Sequence, residues 1–295
     1  MLAIDKNLFP AEVVDGAITT PKLAALAVSG AKIADNAVST IKITDGAITA
    51  AKIADGVIPG VDSYSGGLYV AVYPNSAAVV STSGITTVTT GTLSTPTLNT
   101  ANQKEATRRS SIASAATAGS VSGLRCSHLF CWRGNAPGLG GFRGKLSFAL
   151  TNLVSGNRGF VGLQDTIAAP TNIDPLTSTG GNKVGIGFNT DTGNLQLIHN
   201  LSGVAPTTID LGSAFAINTT DVWTIEIRCL ENASSIDWAV TKAGSNAIAA
   251  GNLINNIPPN NVFLAPHMWM SNNAQALAVS PQFVKWIVTS KNGGG

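Results

Sequence analysis

A fixed internal period decides the architecture of a chain before any single element does. Residues 15–54 divide without gaps into four ten-residue units: DGAITTPKLA, ALAVSGAKIA, DNAVSTIKIT and DGAITAAKIA. DGVI at 55–58 opens a fifth. Most units begin with Asp-Gly or Asp-Asn, pairs that favour turns because Gly and Asn tolerate positive φ; the second unit begins instead with Ala25-Leu26. Apolar residues recur five positions apart throughout, at Ile18, Leu23, Val28, Ile33, Val38, Ile43, Ile48, Ile53 and Ile58. That spacing matches neither the helical period nor simple strand alternation, and it excludes a heptad coiled coil.

One unit has only two apolar anchors and cannot bury them alone. Stacked units make a row of anchors along one side of the chain, and three chains around an axis bury that row against itself. The nine residues just named are therefore the expected core of a trimeric shaft. Lys22, Lys32, Lys42 and Lys52 each precede an anchor, and Lys and Asp recur at matched positions that would let them pair between units or chains. Exposed pairs of this kind add about 0–1 kcal/mol each, so their larger role is register and solubility. A flexible linker would not keep β-branched residues in strict phase. A single-chain solenoid remains the other reading, although so few short units offer it little core.

Outside the repeat, composition mainly excludes. Charged residues are 12% and hydrophobic residues 44% of the chain, which is not the balance of a disordered segment. The net charge is +2 with no long basic run, so nucleic acid is not an expected partner. No apolar run is long enough to span a bilayer, and membrane insertion is not expected. Met1-Leu2-Ala3-Ile4-Asp5-Lys6 lacks a basic segment followed by an apolar one, so no signal peptide is expected. Three cysteines, Cys126, Cys131 and Cys229, are too few for a disulfide scaffold, and synthesis in a reducing cytoplasm fits them.

Pro59-Gly60 ends the repeat. Leu68–Tyr73 is a strand candidate closed by Pro74-Asn75, and short strands are expected near Ile85–Val88 and Thr92-Leu93. From Ser76 to Ser122 the chain is rich in Ser, Thr, Ala and Gly, and residues 59–122 read as a connector. Arg108-Arg109 would suit an anion contact, but a solvated turn is the more economical reading. From about Gly123 short alternating runs take over. Leu146, Phe148 and Leu150 share a face, as do Val184, Ile186 and Phe188, and Trp223, Ile225, Ile227 and Cys229. Repeated short strands with turns between them predict an antiparallel sandwich or jelly roll over 123–295.

Candidate chemistry is sparse. In a strand, Cys126, His128, Phe130 and Trp132 would share one face, which reads as packing. A structural zinc site needs four ligands in tetrahedral array. Beyond Cys126, His128 and Cys131 the fourth would have to come from the distant His199, His267 or Cys229, so neither a metal nor a cofactor is expected. A glycosidase needs two carboxylates flanking the scissile bond. The carboxylates of the head (Asp165, Asp174, Asp191, Asp210, Asp221, Glu226, Glu231 and Asp237) mostly sit at turns, and Glu226 reads as a surface ion pair near Arg228. No catalytic residue is assigned. Trp269, with His267 beside it on the same face, is the candidate sugar-binding aromatic, although Trp in sandwiches is more often core. Trp132 and Trp286 share that ambiguity.

The unit pattern IT-x-x-KIADG within residues 15–58 resembles the repeats of bacteriophage tail-fibre proteins. That resemblance implies a homotrimeric shaft with one end docked on the virion. Gly141-Phe142-Arg143, Arg158-Gly159-Phe160-Val161-Gly162 and Val184-Gly185-Ile186-Gly187-Phe188 look like segments of the lectin-like heads of phage fibres. This second resemblance implies a concanavalin-like jelly roll that touches a host glycan or another surface polymer, and it transfers no site residue. The combined expectation is mainly β. Residues 1–14 are a virion-docking peptide, 15–58 the shaft, 59–122 a connector and 123–295 the head. The partners would be two further copies, a tail or capsid protein, and a host polysaccharide or protein. The protein would be made in the host cytoplasm and reside in the virion as a non-enzymatic tail fibre. A head fibre and a polysaccharide-degrading tailspike are the alternatives.

Overall fold

Alternation of apolar with small or polar residues along short runs gives each run one face to bury, and the runs solve that by pairing into sheets. The computed structural model describes residues 67–75, 79–81 and 85–291. The repeat, its nine anchors and the docking peptide lie outside the described residues. One compact unit covers Tyr64–Gly295. Its regular elements, among the described residues, are sixteen β-strands and two short 3-10 turns.

The strands form two antiparallel sheets. The first runs β14 (Ile248–Leu253), β13 (Ile236–Lys242), β12 (Trp223–Cys229), β7 (Phe142–Thr151), β16 (Ser280–Ser290), β1 (Leu68–Pro74) and β2 (Val79–Ser81). A side path adds β5 (Ser110–Ala113) and β4 (Thr92–Ser94) to β16. The second runs β11 (Thr207–Asp210), β10 (Gln196–Asn200), β9 (Lys183–Asn189), β8 (Arg158–Gln164), β15 (Ala265–Ser271), β6 (Val121–Cys126) and β3 (Thr87–Thr90). Inner faces of both sheets share one core, which includes Val70, Leu146, Phe148, Val161, Ile186, Ile225, Met268, Trp286 and Val288. This is the sandwich predicted for the head, and strand alternation alone identified most of its inward residues.

Its lower boundary is not where the sequence placed it. The described residues of 67–122 are not a connector. Leu68–Val72 pairs with Trp286–Ser290 in the body of the first sheet, and Val70 and Val72 are fully buried in the common core. A cut at Gly123 would pass through β6. Strands β3, β4 and β5 are short and made largely of Ser and Thr, so they lack the apolar alternation that marks a strand from local sequence. Their place is set by partners distant in sequence, β6 for β3 and β16 for β5.

Three local expectations also change. Arg109 is not solvated: it is 3% exposed, donates to Lys104 O at 2.8 Å and to Gln282 Oε1 at 3.2 Å, and pairs with Glu105 at 2.5 Å. It pins the 99–109 segment to β16, while Arg108 stays exposed. Burial removes a cation from water only when such partners replace it. Strand β6 stops at Cys126, so Cys126, His128, Phe130 and Trp132 do not share a strand face. Cys126 and Cys131 are buried, whereas His128 is exposed and hydrogen-bonds Ser127. Burial pushes the Cys126 thiol up to about 12 and raises Cys131 well above the ordinary thiol value. Finally, Glu226 pairs across strands with Arg143 at 2.6 Å and Lys145 at 3.6 Å, a surface network of modest worth.

Candidate functional site

The outward face of the second sheet is shaped by what its side chains leave bare. Registers place Trp269 beside Phe160 and Phe160 beside Gly187. His267 lies beside Gly162, and Gly162 beside Gly185. Cross-strand neighbours point to the same face, so two rows of large groups alternate with glycine. The glycines are required by close approach. A Cβ on Gly162 would lie 2.7 Å from Phe160 Cζ, and one on Gly185 would lie 2.9 Å from Phe160 Cε2. The Phe160 ring therefore lies across bare backbone. With Ile198 and Trp269 it forms a second apolar cluster, against which Val121 and Leu176 pack.

The segment 165–182 between β8 and β9 folds back over this face. It is held by side chains of the strands beneath. His267 hydrogen-bonds Thr166 O through Nε2 at 2.5 Å. Arg125 Nε donates to Ile167 O at 2.9 Å, and Ser271 Oγ to Asn172 Oδ1 at 2.6 Å. Lys183 Nζ donates to Ser178 O at 3.0 Å and Gly180 O at 3.2 Å. Asn200 Nδ2 donates to Gly181 O at 2.8 Å, and Asn189 Nδ2 to Asp174 Oδ2 at 3.0 Å. Most of the backbone carbonyls so bonded are partly buried, where an unpaired acceptor is costly.

Between segment and sheet lies a cleft of about 320 Å³. Phe160 and Trp269 contribute to its floor, and Ala168, Ala169, Pro170, Ile173 and Pro175 line it from the segment. Gln164, Asp165, Lys183 and His267 also line it. Asp165 is the one carboxylate among these lining residues. Burial is the main cause that lowers the Lys183 pKa, with Asp165 opposing it. Burial likewise pulls His267 down to about 4, and the Thr166 carbonyl, which favours the charged ring, only partly offsets this. His267 is thus neutral at pH 7 and its Nε2 proton is the one that reaches Thr166.

Two side-chain groups in the cleft are unspent. Asp165 Oδ2 accepts from Asn182 Nδ2 at 2.6 Å, but Oδ1 accepts no hydrogen bond among the described residues. Gln164 makes no side-chain hydrogen bond among them either. Both groups converge on Gly181, which has φ +71°. A Cβ there would lie 2.9 Å from Asp165 Oδ1 and 3.3 Å from Gln164 Nε2. The bare left-handed glycine lets an acceptor and a donor lie against its backbone, and both residues line the cleft.

The two residues singled out from sequence, Trp269 and His267, do meet at this cleft. Their roles divide. Trp269, 5% exposed, is chiefly a packed part of the outer cluster. His267, 2% exposed, spends its Nε2 on the segment and does not offer it to a ligand. Sequence reasoning did not single out Gln164, Lys183 or the segment as a site. One signal was available: a connection of this length without regular structure is uncommon and usually functional. Trp286 is buried core, and Trp132 stacks on Phe263 with ring centroids 5.0 Å apart. Among the described residues no three of His, Cys, Asp and Glu gather as metal ligands would, and no helix is long and apolar enough to cross a membrane.

No protein-family profile matches this chain, and no curated protein sequence does. Among solved structures the chain is similar to lectin II from Ulex europaeus, with a TM-score of 0.49 and 12% identity over 77% of this chain and 100% of that one. It is also similar to arcelin-5, a lectin-like defence protein from Phaseolus vulgaris, with a TM-score of 0.48 and 8% identity over 77% and 100%. A third likeness is to the winged bean acidic lectin complexed with methyl-α-D-galactose, at 0.48 and 11% over 76% and 98%.

Proposed function

We propose that this chain is the subunit of a homotrimeric virion fibre whose sandwich head adheres to a bacterial surface glycan without cleaving it. The cleft carries the reading for the head. It is pre-formed by hydrogen bonds from the strands below, it has an apolar floor, and it keeps an unspent donor and acceptor. That combination suits a hydroxyl-rich ligand held by few polar contacts. The phased decads of residues 15–58 support the fibre, since their anchors need partner chains. Three weak heads on one shaft gain avidity by effective concentration and need no catalysis. Residues 1–14 would dock on a tail or capsid protein, and attachment to a tail is the reading adopted for a glycan-binding head.

Binding is favoured over hydrolysis because a glycosidase needs two carboxylates at the scissile bond, and Asp165 alone lines the cleft. Light scattering on the full chain at micromolar concentration is expected to give three times the 30.1 kDa chain mass. A monomer would overturn the fibre. Incubation with bound polysaccharide is expected to release no new reducing ends, and their appearance would replace adhesion with depolymerisation.

A further inference from the structure

We infer that the cleft recognises an uncharged, methyl-bearing saccharide, a 6-deoxyhexose or an N-acetylated hexosamine, through Gln164 and Asp165. This rests on the reading of the cleft as a glycan site and adds the class of sugar. Three observations define the class.

The first is the polar pair. Asp165 Oδ1 can only accept, and Gln164 Nε2 can only donate. Both approach the bare face of Gly181. Neighbouring hydroxyls of a pyranose satisfy both at once: one gives its proton to Asp165, and the next accepts from Gln164. Lone apolar or purely accepting ligands would leave one of the two unpaired.

The second is charge. The cations nearest the cleft are already committed. Lys183 donates to Ser178 O and Gly180 O. Arg125 donates to Ile167 O and Thr90 Oγ1. His267 is neutral and donates to Thr166 O. Bonding to neutral oxygens leaves the charge of Lys183 and Arg125 in place but turns these donors to other partners. A sugar carboxylate bound at the Gln164–Asp165 pair would therefore sit against the Asp165 oxygen. Like charges at such range disfavour binding.

The third is the apolar wall. Ala168, Ala169, Pro170, Ile173 and Pro175 offer no side-chain donor or acceptor, and Ile173 is 47% exposed. A hydroxymethyl group against this wall would lose water contacts without replacement, whereas a methyl gains by burial. Transfer of one methyl is worth about a fourfold gain in affinity. The volume fits one substituted ring, since 320 Å³ is the share of about ten waters at ~30 Å³ each.

The test uses the full chain and four probes: the methyl glycosides of L-rhamnose, N-acetyl-D-glucosamine, D-glucose and D-glucuronic acid. Saturation-transfer NMR locates the contact and titration calorimetry ranks affinity. Transfer is expected to be strongest at the 6-deoxy or acetyl methyl protons of at least one probe. That probe is expected to bind at least about fourfold more tightly than glucose, with no binding of the glucuronide. Gln164→Ala is expected to weaken it by about tenfold, the loss of one hydrogen bond in a desolvated site, with an unchanged melting temperature. Asp165→Ala, which also removes the partner of Asn182, serves as the second variant. Glucose binding as tightly as either methyl-bearing sugar, or preferred binding of the glucuronide, overturns the sugar class and leaves the glycan site standing. Unchanged affinity in Gln164→Ala overturns the recognition pair. No binding of any probe overturns the class, and it overturns the glycan site as well if bacterial polysaccharides are also not retained.

Discussion

A fragment that begins at Gly123 is expected not to fold, whereas one that begins at Tyr64 is expected to melt as a single cooperative unit. The shorter fragment lacks β1 to β5 and the first two residues of β6. It loses Val70 and Val72, the cross-strand neighbours of Val288 and Trp286 in the same sheet, and Ile112, all fully buried. Full burial of one aliphatic side chain is worth about 1.5–3 kcal/mol, so these three alone amount to roughly 5–9 kcal/mol. The whole stability of a domain is about 5–15 kcal/mol. The loss also leaves β16, on its β1 side, with an unpaired edge over Leu68–Val72's former partners, Trp286–Ser290. Such an edge invites aggregation. Circular dichroism with thermal melting decides between the fragments. A cooperative transition in the shorter one would mean that β1 is an accessory strand.

The second large effect concerns pH. His267 has a folded pKa of about 4 against an ordinary 6.5, because burial on the sheet face disfavours the charged ring. Arg125 adds to that depression, while the Thr166 carbonyl and Asp165 oppose it. The sign follows from proton binding. Between pH 6.5 and 4 the unfolded chain takes up a proton that the folded chain refuses. Stability is therefore complete above about pH 6.5, falls as pH drops toward 4, and takes no further loss from this group below that. The full loss is roughly 3 kcal/mol. Glu105 and Asp210, whose pKa values are also lowered, add acid sensitivity only below the ordinary carboxylate range. Denaturant unfolding of the full chain at a series of pH values measures the slope. His267→Gln, which keeps a side-chain N–H donor, is expected to flatten it between pH 6.5 and 4.5. A wild-type stability that does not change across that interval would contradict the burial of a neutral ring.

Much of the sandwich was legible in the sequence because its longest strands alternate. Phe142–Thr151 and Trp223–Cys229 each show their inward faces without reference to any partner. Thr87–Thr90 and Thr92–Ser94 are expected as short strands but read as part of a connector, and Ser110–Ala113 escapes notice, because all three are small and polar. Ser110 is nonetheless buried, because β16 covers it. Local composition cannot report a burial that a strand some 170 residues away imposes. Arg109 teaches the same lesson, since its partner Gln282 is 173 residues distant.

The site was legible by half. Trp269 and His267 stood out as an aromatic and an imidazole on one strand face, and the structure brings both to the cleft. What each does there depends on the segment above. The partner of His267 is a backbone carbonyl 101 residues away, so its spent state has no sequence signature. Gln164 does not stand out in the sequence, and Asp165 reads only as one of the carboxylates that mostly sit at turns. Their value lies in what they do not bond and in a bare Gly181 that lets both reach one place. The alternating glycines of Arg158–Gln164 and Lys183–Asn189 were visible, but their reason, a Phe160 ring lying across them, is a tertiary fact.

Retention of the full chain on an array of immobilised bacterial surface polysaccharides tests the central claim most directly, with wild type set against the double variant Gln164→Ala/Asp165→Ala. The wild type is expected to hold at least one uncharged polymer through dissociation that is slow because three heads engage together. The double variant, with its sandwich and chain mass intact, is expected to wash off that polymer. Retention of no polymer by the wild type, or equal retention of both proteins, would contradict a head that binds glycan through this cleft.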